Sequence, residues 1–216
     1  MRSKPEIENL LTHPGVIAVV RTRSAAQVPP LCDALVAGGV VAIEITMTTP
    51  GALDAIRAAR ARLGAGAVVG VGTVLDAATC RAAIDAGAEF VVTPVLRPDV
   101  AAVARASGCP VMLGAYTPTE AQLAHEAGAD FIKVFPADTL GPGYIKNLLA
   151  PLPHLRIVPT GGVTQANIAD FLKAGCVAAG VGSPLMTPRI LAENNWGELK
   201  RQAAQFVALA RAAKEA

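Results

Sequence analysis

The chain has 216 residues, 52% of them hydrophobic and 17% charged, with 20 glycines and 16 prolines. That length and apolar content support one large packed core across residues 1–216 and exclude a disordered chain. A net charge of +2, with both signs scattered, offers no basic block for nucleic acid or an anionic membrane and suits a small-molecule partner.

In chain order, an extra helix is expected over 4–12, followed by an apolar run from Gly15 to Val20 that ends at Arg21. Six residues are too few for a signal-peptide core or a membrane span, so the chain reads as cytoplasmic. One phrase then recurs: an alanine-rich helical stretch, a glycine, and a short apolar run. It appears as "ALVAGGVVAIEI", "AAIDAGAEFVVT", "ARASGCPVMLG", "AHEAGADFIKVF" and "LKAGCVAAGVG". Glycine past a helix end takes the left-handed conformation that side chains with a Cβ avoid, so each phrase marks a helix stop followed by a strand. With the candidates that lack this lead-in, eight strands are predicted at 16–21, 41–47, 67–74, 90–95, 111–116, 131–136, 156–160 and 178–182. Their runs barely alternate with polar residues, as parallel strands covered on both faces require. Eight such strands alternating with helices predict an α/β fold, a single (β/α)8 TIM barrel with an extra N-terminal helix. A last helix is expected at about 197–214, with Phe206, Val207 and Leu209 on its apolar side.

In such a barrel the active site lies at the C-terminal ends of the strands, and few polar residues stand there. They are Arg21 after strand one, Glu44, Thr46 and Thr48 on and after strand two, and Thr73 in "GVGTV". Further on come Thr93-Pro94, Tyr116-Thr117, Lys133 in "FIKVFPA", Thr160-Gly161-Gly162 in "PTGG" and Gly182-Ser183 in "GVGS". Lys133 is the most costly to bury: an ammonium out of water loses hydration, and the usual response is to give up its proton more readily. A neutral amine attacks ketones to form a Schiff base, whose protonated carbon–nitrogen bond drains electrons from the adjacent carbon–carbon bond. A structural ion pair with Glu44 is the alternative. Glu44 itself follows Val41, Ala42 and Ile43, and a desolvated carboxylate there is suited to passing protons near neutral pH, or serves only as the counter-ion. Gly161, Gly162, Gly182 and Ser183 occupy the turns after strands seven and eight, where barrels commonly bind phosphate on backbone N–H groups.

Four cysteines and three histidines are dispersed without a Cys-x-x-Cys pair, which favours neither zinc nor disulfides. No metal and no cofactor is expected. A metal-dependent reaction would need ligands that this sequence does not group.

With "EITMTTP", "GVGTV", "TPV", "FIKVFPA", "PTGG" and "GVGS" in this order, the chain resembles, over nearly its whole length, the bacterial 2-keto-3-deoxy-6-phosphogluconate aldolases, also called 4-hydroxy-2-oxoglutarate aldolases. The resemblance implies a homotrimeric, metal-independent class I aldolase that cleaves a phosphorylated keto-acid to pyruvate and glyceraldehyde 3-phosphate. It implies Lys133 as the Schiff-base lysine and Glu44 as the proton-transfer carboxylate. Thr73 and Pro94 would line the pyruvate pocket, with Phe135 packing nearby and Thr160 bordering the substrate, and Gly161, Gly162, Gly182 and Ser183 would hold phosphate. Many members carry an arginine where Thr48 stands here; Arg21 is the candidate to supply the missing cation. Relatives commonly read Pro-Gly at the positions of Leu113 and Gly114, and Tyr116 is expected to reshape the pocket floor. Ile145, Leu148 and Leu149 are the apolar surface candidates for assembly. Alternatives are the galactonate-derived isomer or 4-hydroxy-2-oxoglutarate as substrate and, in another class, a non-catalytic phosphosugar-binding barrel.

Overall fold

A computed structural model describes residues 2–215. Helix α1 (Lys4–Thr12) precedes eight strands: β1 (Val16–Val20), β2 (Ala42–Thr46), β3 (Val68–Gly72), β4 (Val91–Val92), β5 (Val111–Ala115), β6 (Phe131–Val134), β7 (Ile157–Pro159) and β8 (Ala179–Val181). Between and after them run α2 (Val28–Ala37), α3 (Ala52–Leu63), α4 (Ala77–Asp85), α5 (Pro98–Ala106), α6 (Pro118–Glu126), α7 (Gly141–Leu149), α8 (Ile168–Lys173), α9 (Pro188–Glu193) and α10 (Trp196–Glu215). The five glycines that close the repeated phrases, Gly39, Gly87, Gly108, Gly128 and Gly175, all take positive φ. Helix starts are equally local: the Asp76 side chain accepts from Thr79 N–H, and Thr117 with Glu120 forms a capping box under Pro118.

All strand pairs are parallel, in the order β7-β6-β5-β4-β3-β2-β1-β8. A bridge between Thr160 and Gly180, and a Val177 N–H bond to the Ile157 carbonyl (3.0 Å), join β7 to β8 and close the barrel. This is the predicted (β/α)8 architecture.

The strands are apolar on both faces because two cores share them. Outward side chains pack under the helices in one large cluster. Inward ones, among them Ile17, Val68, Phe90, Met112, Phe131 and Val158, join Ile7 and Leu11 of α1 in a second cluster that fills the N-terminal half of the barrel. Each such buried Ile or Leu contributes about 1.5–3 kcal/mol. Three ion pairs fasten this end: Arg2–Glu89 (2.6 Å), Lys4–Asp130 (2.5 Å) and Glu8–Arg156 (2.6 Å). The site must therefore occupy the opposite, C-terminal half.

Two expectations are corrected. Strand four runs for two residues rather than across 90–95, because Pro94 has no N–H to give and the chain peels away there. Ile145 and Leu148 are not surface groups: they form the inner face of α7, and only Leu149 is partly exposed. The four cysteines are free and buried, and burial pushes the thiols of Cys32, Cys109 and Cys176 up to about 12 and that of Cys80 to about 11. Among the described residues no helix is long and apolar enough to cross a membrane.

Candidate active site

Lys133 sits within β6, flanked in register by Gly114 of β5 and Val158 of β7, and Glu44 sits within β2. Both point into the barrel, where they are 5% and 2% exposed. Lys133 Nζ lies 3.9 Å from Glu44 Oε1, beyond hydrogen-bond distance, and that oxygen has no hydrogen-bond partner. Nζ also stands 5.2 Å from the Phe135 ring centroid, within cation–π range. Burial raises the Glu44 carboxyl above the ordinary carboxylate range; the charges of Lys133 and Arg21 oppose that rise without cancelling it. Space for the carboxylate comes from β3: a Cβ on Gly72 would lie 1.8 Å from Oε1. Gly72 is therefore part of the site, and its place beside Thr73 in "GVGTV" is the signal that the sequence offers for it.

Beyond Phe135, whose ring Nζ faces, opens a cavity of about 800 Å³ whose lining includes neither Lys133 nor Glu44. Among the residues that line it are Arg21, Thr48, Phe135, Thr160, Gly161, Gly162, Gly182 and Ser183, so eight residues selected from the sequence border one cavity. Gly161 and Gly162 have φ of 84° and 77°, which a side chain would strain. Their N–H groups and that of Val163 donate to no acceptor among the described residues, which leaves them free for an anion. Helix α8 begins only at Ile168, and Asn167 before it fixes the loop by donating to the Gly162 carbonyl (3.0 Å) and accepting from Thr164 N–H (2.7 Å). No Asp or Glu lines the cavity, and Arg21 and Arg23, both on its wall, form no ion pair among the described residues. Arg23 escaped the sequence reading because it lies in a loop with no motif around it.

Thr48 is exposed at the mouth, its hydroxyl 2.9 Å from that of Thr46, which is also 3.1 Å from the Val20 carbonyl. Thr73 and Pro94 stand outside the cavity wall, over β3 and β4 across the mouth. Thr73 has φ 60°, a strained left-handed conformation for a β-branched residue, of the kind that collects at functional sites. Tyr116 is corrected from floor to rim: it is 41% exposed, with its hydroxyl 3.0 Å from that of Thr139. Among the described residues no three His, Cys, Asp or Glu side chains form a metal-ligating group.

The fold and this pair define a (β/α)8 barrel with a buried amine–carboxylate pair in the C-terminal half of the barrel, near a glycine loop whose N–H groups are free. The family model for KDPG and KHG aldolase matches residues 7–202, and the chain belongs to that family of carbon–carbon lyases. It is 35% identical over 199 residues to a 2-dehydro-3-deoxy-phosphogluconate aldolase of Pseudomonas aeruginosa, covering 90% of this chain and 89% of that one. It is 37% identical over 171 residues to a 2-dehydro-3-deoxy-6-phosphogalactonate aldolase of Escherichia coli, with 79% and 83% covered. Among solved structures, the 2-keto-3-deoxy-6-phosphogluconate aldolase of Zymomonas mobilis with 3-phosphoglycerate superposes with a TM-score of 0.86 at 30% identity, covering 98% and 99% of the two chains.

Proposed function

We propose that the chain cleaves 2-dehydro-3-deoxy-6-phosphogluconate to pyruvate and glyceraldehyde 3-phosphate through an imine on Lys133. The observation that carries this reading is the buried amine 3.9 Å from an unpartnered buried carboxylate oxygen. The Lys133 amine attacks the C2 ketone and water leaves. Glu44 takes the proton of the C4 hydroxyl as the C3–C4 bond breaks, and the electron pair flows into the iminium. The aldehyde departs, C3 of the resulting enamine regains a proton through Glu44, and hydrolysis frees pyruvate and the lysine. Gly161, Gly162, Gly182 and Ser183 hold the phosphate, Arg21 faces the substrate anions, and Thr48, Thr73, Pro94, Phe135 and Thr160 bound the rest. The whole chain acts as one cytoplasmic catalytic unit, and by resemblance it assembles as a homotrimer.

Thr48 at the position of the frequent arginine, with the similarity to a phosphogalactonate aldolase, supports the galactonate-derived isomer as a second reading. Steady-state kinetics on three substrates separates them. The phosphogluconate compound is expected to give the highest kcat/KM, and unphosphorylated 4-hydroxy-2-oxoglutarate one lower by about 10²-fold, since its anchor is missing. A higher value for the galactonate isomer would reverse the choice. Equal values with and without phosphate would remove the phosphate site from the account.

A further inference from the structure

The corner where β4 ends is held by a side chain in place of the backbone. Val91 pairs with Val111 and Val92 with Met112, and Thr93 N–H donates to the Met112 carbonyl (2.9 Å). In a continued parallel ladder the next bond would run from Gly114 N–H to the Thr93 carbonyl. It runs instead to the Thr93 hydroxyl (3.1 Å), which in turn donates to the Val95 carbonyl (2.6 Å). Thr93 is 0% exposed, and these two bonds use its donor and one of its acceptor sites. One hydroxyl thus completes the β4–β5 pairing and pins the turn that carries Pro94.

That turn lies against the strand bearing the lysine's neighbour. Gly114 is paired with Lys133, and a Cβ on Gly114 would fall 2.2 Å from the Pro94 carbonyl carbon. Pro94 is therefore pressed onto β5 at the level of the reactive amine. On the other side of the same short strand, Val74 N–H reaches the Val92 carbonyl (3.2 Å) just past the left-handed Thr73. With β4 only two residues long, backbone pairing to β5 ends at the Thr93 N–H and does not extend to the level at which Pro94 stands.

We propose that Thr93 is a positioning residue for the aldolase reaction: its buried hydroxyl replaces its own carbonyl in the ladder and so holds the Pro94 wall beside Lys133. The inference rests on the Schiff-base reading above. Small displacements of a wall around a reacting carbonyl change rates steeply, up to about 10²-fold for 1 Å.

The test compares Thr93→Val, which keeps the shape and loses the hydroxyl, with Thr93→Ser, which keeps the hydroxyl. Thr93→Val is expected to fold, to lose at least about tenfold in kcat, and to form the pyruvate adduct trapped by borohydride at Lys133 slower by the same factor. Thr93→Ser should stay within about twofold of the parent. If Thr93→Val is insoluble, Thr93→Ala is measured with rates normalised to folded protein. Parent-like kcat and trapping in the hydroxyl-free variant, or an equal defect in Thr93→Ser, would overturn the proposal. Absence of any Lys133 adduct in the parent protein would instead remove the Schiff-base reading, a distinguishable failure.

Discussion

Replacing Lys133 by methionine is expected to leave a folded barrel that cleaves its keto-acid at least about 10⁴-fold more slowly, because the covalent route is lost and no second amine is placed to take it over. Among the described residues Lys133 is the one buried lysine; Lys214, exposed yet pushed down by desolvation, is committed at the other end of the molecule, donating to the Thr12 (2.5 Å) and Val177 (2.7 Å) carbonyls. Methionine matches the lysine stem in length but leaves the buried Glu44 without its opposite charge, so the carboxyl holds its proton more readily and the thermal midpoint is expected to fall below the parent's. Turnover and the thermal midpoint measured on the same preparation check both halves. Activity within tenfold of the parent would mean that the amine is a structural partner of Glu44.

The second large effect is at Glu44. Glu44→Gln keeps size and removes the base, and kcat should fall by about 10²–10⁴-fold. The sign of the pH dependence follows from burial. A base acts when deprotonated, so kcat of the parent is lost as pH falls through the carboxyl's pKa, and desolvation moves that acid limb above the usual carboxylate range. The glutamine variant should show no such limb at its residual rate. A parent profile flat down to the ordinary glutamate pKa, or an acid limb that survives in Glu44→Gln, would assign proton transfer elsewhere.

Much of this site can be read from residue types and spacing because barrel topology turns position along a strand into depth. Once eight apolar runs are placed, Lys133 and Glu44 inside two of them must be buried, and the glycine turns after the seventh and eighth must stand at the same mouth. What escaped notice depends on three-dimensional relations without a local signature. The corner past the shortened β4 is held by a hydroxyl that bonds across to Gly114. The space for Glu44 depends on a glycine in a neighbouring strand. Ile145 and Leu148 looked like surface candidates because which side of α7 meets the strands is fixed by packing, to which spacing alone is blind. Arg23 and the rim position of Tyr116 belong to loops, where periodicity carries no information.

The central claim is that an amine buried beside a lone carboxylate oxygen forms a carbon–nitrogen bond with the substrate ketone. Incubating the protein with pyruvate and borohydride, then mapping the modified peptide by mass spectrometry, tests it most directly. One reduced pyruvate adduct per chain is expected, on Lys133 and proportional to the activity lost; an unmodified Lys133 in protein that retains full activity would contradict the imine.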